Sequence, residues 1–250
     1  MSSTPSWFHV PRPVARPRLR LFCFAHAGGS AATFHRWPAP LGDNVEVLAV
    51  ELPGRGGRLR EPPHRRMPDL IAALLPAVTA RLDVPYVVFG HSLGAAVAFE
   101  LLRALRRAGA PEPAHLVVSA RYAPHLPRTA PPIHALPQAA FLRALADRYG
   151  MANGVLDDPE MAAMLYPPLQ ADMEIFETWA CTAEEPLATP ITACGGSRDP
   201  TVTRDGVEAW RAHTSVGFAS HVLAGDHFYL ISDPPPLLRV LRTVLDAAAG

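Results

Sequence analysis

Short apolar runs alternate along most of the chain with longer stretches whose apolar positions recur at helical spacing. Leu19–Phe24, Val45–Val50, residues 86–89, His115–Ser119 and residues 191–194 are apolar almost throughout. Unbroken apolarity over so few residues marks strands buried on both faces, as parallel strands are. Between them, residues 67–82 carry Leu70, Leu74, Leu75 and Val78 at helical spacing, and residues 93–108 are rich in alanine and leucine up to Gly109. A helix over 204–213, a strand near 220–223 and a closing helix over 235–248 continue the alternation. The pattern predicts an α/β domain, a mostly parallel central sheet with helices on both faces.

The rhythm breaks in the middle. Between Pro124 and Pro186 no strand pattern occurs, and helical stretches over Gln138–Tyr149, 158–165 and 169–181 are punctuated by prolines. We read residues 124–186 as a helical lid inserted over the carboxyl edge of the sheet, and residues 1–123 and 187–250 as the core that carries it. The proline- and arginine-rich residues up to Pro17 are expected to lie loosely on the surface, with order beginning at Leu19.

A length of 250 residues suits one sizeable domain with an insertion. The formal net charge of +0 argues against a nucleic-acid binder. Cys23, Cys181 and Cys194 have neither paired nor metal-ligand spacing, and the N-terminus lacks a charged start leading into an apolar run. No stretch approaches the roughly 18 apolar residues of a membrane span. The expectation is a monomeric, cytoplasmic protein that binds neither nucleic acid nor membrane.

Candidate chemistry centres on Gly90-His91-Ser92-Leu93-Gly94, which follows the third apolar run and opens a helix. A serine on a tight strand-to-helix turn, flanked by glycines, is the signature of a hydrolase nucleophile, because strain at the turn pushes Oγ out and bulky neighbours would collide. A serine hydroxyl needs a histidine to take its proton and a carboxylate to orient that histidine. In α/β-hydrolases both follow the serine, in the order acid then histidine, on loops after later strands. His227, in Gly225-Asp226-His227-Phe228 after the last strand, is the candidate base; His213 and His221 occupy helix and strand positions, and His91 points away from the turn. Asp199, in Gly195-Gly196-Ser197-Arg198-Asp199-Pro200, is the candidate acid, whereas Asp226 is too near His227 and Asp205 enters a helix. The backbone N–H groups of Leu93 and of Ala27, in His26-Ala27-Gly28-Gly29-Ser30, are the candidate oxyanion hole. No zinc or nucleotide-phosphate motif occurs, and Gly54-Arg55-Gly56-Gly57 does not complete a dinucleotide glycine pattern, so no metal or cofactor is implied.

Together, residues 22–30, Leu52-Pro53-Gly54-Arg55-Gly56, Phe89 to Gly94, Leu126-Pro127 and Gly225-Asp226-His227-Phe228-Tyr229-Leu230 make the chain resemble the type II thioesterases that accompany polyketide and nonribosomal peptide synthases. The resemblance implies an α/β-hydrolase fold with a lid, and an enzyme that clears unwanted acyl or aminoacyl groups from the phosphopantetheine arms of carrier proteins. It assigns Ser92 as nucleophile, Asp199 as acid, His227 as base, and the Ala27 and Leu93 amides as the oxyanion hole. Ala25 stands where such proteins usually have proline, and Ser197-Arg198 where a more acidic turn is common. Met151, Leu156, Met161, Met164, Ile175 and Phe176 either line an acyl pocket under the lid or form the lid's own core. Arg121, Arg128, Arg143 and Arg148 are candidates for a face that meets an acidic carrier protein. An esterase acting on small oxygen esters is the alternative reading, since it would need the same three side chains.

Overall fold

Alternate residues of the inner strands feed two separate cores, which explains why those strands read as unbroken apolar runs. The computed structural model describes residues 6–149 and 158–249. Its first half runs β1 (Phe8–His9), β2 (Leu19–Phe24), α1 (Pro38–Leu41), β3 (Val45–Val50), α2 (Met67–Thr79), β4 (Tyr86–His91), α3 (Leu93–Arg107) and β5 (His115–Ser119). The second half runs α4 (Gln138–Tyr149), α5 (Pro159–Thr178), β6 (Ile191–Gly196), α6 (Arg204–Glu208), β7 (Phe218–Leu223), α7 (Tyr229–Ser232) and α8 (Pro235–Ala249). The sheet order is β1-β3-β2-β4-β5-β6-β7, with β1 antiparallel and every other pairing parallel.

Phe22, Phe24, Leu48, Val88 and Val118 point toward α2, α3 and the lid, while Leu21, Cys23, Val47, Phe89 and Val117 point toward α1 and α8. Burying each such leucine, valine or phenylalanine contributes about 1.5–3 kcal/mol, so the central strands form a rigid platform for the loops at their carboxyl ends. Among the described residues no helix is long and apolar enough to cross a membrane.

The structure departs from the sequence reading in two places. Order begins before Leu19: Phe8–His9 pairs antiparallel with β3, and Phe8 packs edge-on against Phe22 at 5.7 Å. Two residues are too short for a periodic signal, and only the exposed edge of β3 makes them a strand. The helices foreseen over 158–165 and 169–181 are one helix, α5, which passes through Pro167 and Pro168. Each internal proline removes a backbone donor and costs roughly 3 kcal/mol. Burial of Leu169, Ala171, Met173, Ile175 and Phe176 beyond the pair, together with Tyr166 against Phe141 at 5.5 Å, offsets that cost.

Candidate active site

Ser92 lies between β4 and α3 with φ 56° and ψ −113°, one of two non-glycine residues with positive φ among the described residues. Such a conformation costs about 1–3 kcal/mol and persists only where its surroundings enforce it. Here the enforcement is visible: Ser92 N–H donates to the Ser119 carbonyl at 2.8 Å, fixing the turn to β5. A Cβ on Gly90 would lie 2.2 Å from the Gly94 carbonyl oxygen, and one on Gly94 would lie 2.3 Å from the Phe24 carbonyl oxygen. Both glycines are therefore required by backbone contact.

The loop after β7 brings His227 to the serine, with Nε2 3.0 Å from Ser92 Oγ. On the other side of the ring, Nδ1 donates to Asp199 Oδ2 at 2.7 Å, from the loop after β6. Asp199 Oδ1 accepts from the Thr201 amide at 2.8 Å and from its hydroxyl at 2.7 Å. Burial alone would raise the Asp199 pKa, but the hydrogen bonds and charge of His227, with the two bonds from Thr201, hold it below the ordinary 3.8. The acid is thus ionised at neutral pH. The other acids do other work: Asp226 accepts from the Phe228 amide at 2.8 Å, and Asp205 sits in the first turn of α6.

Two further histidines surround the site. His91 is fully buried beneath the turn, with Nδ1 2.9 Å from Ser119 Oγ and Nε2 2.9 Å from the His227 carbonyl. A carbonyl can only accept, so Nε2 carries the proton and Nδ1 accepts from Ser119. Burial and the neighbouring histidines push the His91 pKa far below 6.5, and burial pulls His26 down to about 4. Both rings are neutral at pH 7 and leave His227 as the nearby imidazole equipped with a carboxylate. His91 holds the backbone of the histidine loop, a role that sequence spacing did not reveal.

Leu93 is the first residue of α3, where backbone N–H groups have no intrahelical partner. Ala27 lines the small chamber that contains Ser92 and His227. The loop carrying Ala27 is held from the lid: Gly28 N–H donates to Asp172 Oδ2 at 2.8 Å. The same carboxylate of α5 receives Arg55 in a two-pronged bond of 2.6 and 2.8 Å, and Arg55 also reaches the Gly29 carbonyl at 3.2 Å. Arg55 and Asp172 are both buried. Removing one member of such a pair strands the other charge. Asp172→Ala is accordingly expected to lose about 3–5 kcal/mol of folding stability, readable as a lower urea midpoint, and to impair hydrolysis through the loosened loop. A midpoint unchanged within error would refute the clamp.

The chamber at Ser92 is narrow and shares wall residues with two larger spaces. On the side of Ala27 and Phe228 lies a groove of about 650 Å³, reaching the surface past the exposed Leu59, Met164 and Ile231. On the side of His227, Tyr149 and Phe176 lies a cavity of about 330 Å³ that also includes Arg121, Arg128 and Arg148. Phe176 thus lines both the chamber and the inner cavity, and Met164 lines the groove. Ile175 instead packs into the core that the lid shares with the sheet, α2 and α3, and Met161 is exposed and borders none of these spaces. Met151 and Leu156 lie outside the described residues. The arginines also differ from expectation. Arg121 is buried, Arg128 and Arg148 approach the buried Glu177 at 3.9 and 3.5 Å, and of the four only Arg143 is exposed.

Comparison with known proteins gives consistent matches over nearly the full length. The family model for the thioesterase domain matches residues 19–246. The chain is 36% identical over 227 residues to the thioesterase PikA5 of Streptomyces venezuelae, covering 90% of this chain and 80% of that protein. It is 39% identical over 244 residues to the linear gramicidin dehydrogenase LgrE of Brevibacillus parabrevis, covering 96% and 93%. The redox term in that name belongs to that protein; the central turn of this chain carries Ser92 and no dinucleotide glycine pattern. The structure of the type II thioesterase BorB from the borrelidin biosynthetic cluster superposes with a TM-score of 0.88 at 36% identity, covering 97% of this chain and 100% of that one.

Proposed function

The chain belongs to the thioesterase domain family, an α/β-hydrolase, and we propose that it edits polyketide or nonribosomal peptide synthases by hydrolysing acyl groups stalled on carrier-protein phosphopantetheine arms. The alignment of Ser92 Oγ, the His227 ring and Asp199 within 3.0 and 2.7 Å carries this reading. In it, Oγ attacks the thioester carbonyl as its proton passes to His227 Nε2. The Ala27 and Leu93 amides hold the oxyanion, the C–S bond breaks, and the histidine returns the proton to the pantetheine sulfur. Water, deprotonated by the same nitrogen, then frees the acid from the acyl-serine and restores the Ser92 hydroxyl.

The groove past Leu59, Met164 and Ile231 supports entry of the pantetheine arm from the surface, since an extended arm that alternates amides with short hydrocarbon segments needs an open channel with both apolar and polar walls. The formal charge balance gives little long-range attraction for an acidic carrier, so recognition rests on the arm and close contacts. The enzyme works as a monomer in the reducing cytoplasm, with Cys23, Cys181 and Cys194 as free thiols. Binding energy from the carrier should position the thioester, giving a kcat/KM at least about tenfold higher for carrier-bound acyl groups than for the same groups on N-acetylcysteamine. Equal values on the two, or faster turnover of matched oxygen esters, would replace this reading with that of a small-ester hydrolase.

A further inference from the structure

Ser92 Oγ and His227 Nε2 lie 3.0 Å apart, yet the turns that carry them are not neighbours in the sheet. Ser92 follows β4 and His227 follows β7, with β5 and β6 in between. As the edge strand, with none of its residues buried, β7 is a poor anchor for a base. The Arg198 amide donates to the Gly225 carbonyl at 2.8 Å, but that tie joins the histidine loop to the acid loop and not to the nucleophile. The direct connection runs beneath the turn, through three buried side chains that the reaction does not consume: His91, Ser119 and Tyr229.

The register of β4 on β5 sets His91 beside Ser119, so both side chains leave the same face of the sheet. Phe89 and Val117, two residues earlier on each strand, lie in one core with Tyr229. His91 Nε2–H donates to the His227 carbonyl at 2.9 Å, which leaves Nδ1 to accept from Ser119 Oγ, also at 2.9 Å. Ser119 has one proton and spends it there, so its oxygen accepts from the Tyr229 hydroxyl. All the donors thus point toward His227. Burial holds the Tyr229 pKa well above 10 and the His91 pKa far below 6.5, so neither ring changes charge at neutral pH. The His91 ring also packs edge-on against the rings of His227 at 5.5 Å and Tyr229 at 5.6 Å. A polar network that is fully satisfied in an apolar core is rigid. Ser119 holds the nucleophile as well, since its carbonyl accepts Ser92 N–H at 2.8 Å. One residue therefore fixes Ser92 by its backbone and, through His91, fixes His227 by its side chain.

We propose that Ser119 and His91 form a strut that sets the separation of Ser92 Oγ from His227 Nε2, with His91 as a positioning residue for the proton transfer between them. The inference rests on the thioesterase reading above, whose first step needs that spacing. The bond from His91 to the His227 carbonyl is the member that carries the effect.

The test replaces His91 by two amides. Glutamine can place an N–H where Nε2 stood and still donate to the His227 carbonyl, whereas asparagine can accept from Ser119 where Nδ1 stood but falls short of the carbonyl. His91→Asn should lower kcat on acyl thioesters of N-acetylcysteamine by about 10²-fold, the loss that a displacement of about 1 Å produces, with little change in KM. His91→Gln should recover most of that loss. Ser119→Ala keeps the backbone bond to Ser92 and should lower kcat by about tenfold, and adding it to His91→Asn should cost nothing further, because both act along one path. Rates of Ser92 labelling by a fluorophosphonate should fall in the same order. Val47→Ala opens a cavity in the same core two strands from β4, and its kcat should stay near wild type despite a lowered urea midpoint. Equal kcat in the two His91 variants, whether both intact or both reduced, overturns the proposal. So does a kcat that follows the urea midpoint across all variants, Val47→Ala included, or losses of His91→Asn and Ser119→Ala that multiply. Wild type that labels at Ser92 but leaves every thioester intact, carrier-bound ones included, would instead strike the thioesterase reading, and the labelling rates would still decide the strut.

Discussion

Ser92→Ala is expected to reduce thioester hydrolysis by on the order of 10⁶-fold, the loss seen when a serine hydrolase is stripped of its nucleophile. Stability should change little. Alanine keeps the Cβ and so inherits the same strained φ of 56°, the backbone bond to Ser119 remains, and the lost Oγ leaves no apolar void. A matched denaturation midpoint with abolished turnover separates chemistry from folding. Mass spectrometry after treatment with a fluorophosphonate gives an independent check, since wild type should be modified at Ser92 and the variant nowhere. Modification of another serine would relocate the site.

Asp199→Asn should cost about 10⁴-fold in kcat, the effect known for the corresponding change in serine proteases. The surroundings of this residue say why. The Thr201 amide and hydroxyl both donate to Oδ1, so an asparagine must keep its oxygen there and turn its NH₂ toward His227. That NH₂ donates to Nδ1, which must then be unprotonated, and the ring proton moves to Nε2, the atom that has to accept from Ser92. Asp226→Asn and Asp205→Asn should stay within a few-fold of wild type, because asparagine can still accept the Phe228 amide and Asp205 touches none of the reacting groups. A crippled Asp226 variant beside an active Asp199 variant would move the acid to the histidine loop.

How much of this was legible depended on whether a feature repeats or stands alone. The inner strands could be read because two cores bury both faces of each, which writes an unbroken apolar run. Ser92, Asp199 and His227 could be singled out because each follows the carboxyl end of a strand, where turn residues and polar side chains interrupt apolar sequence. The resemblance to type II thioesterases strengthened the same assignments. Asp172 gave no such signal, being one acid on a helix that also carries Glu174 and Glu177, and its partner Arg55 lies far away along the chain. Arg121 read as a surface charge until the fold closed over it. Pro167 and Pro168 read as a break because local preference was visible and the packing that overrules it was not.

The grip of Asp172 on Arg55 and Gly28 means that the lid helix belongs to two parts of the protein at once. Beyond the paired prolines, α5 is tied to the loop that presents Ala27, and that half cannot lift without dragging with it the loop that lines the chamber at Ser92. Freedom to admit a substrate therefore falls to the segment before Pro167, which carries Met164 at the mouth of the groove. For exchanging lids between related enzymes, this sets the graft boundary. A chimera joined at Pro167 replaces the entrance and leaves the clamp native, whereas one joined after Thr178 puts a foreign helix against the Gly28 loop in place of Asp172.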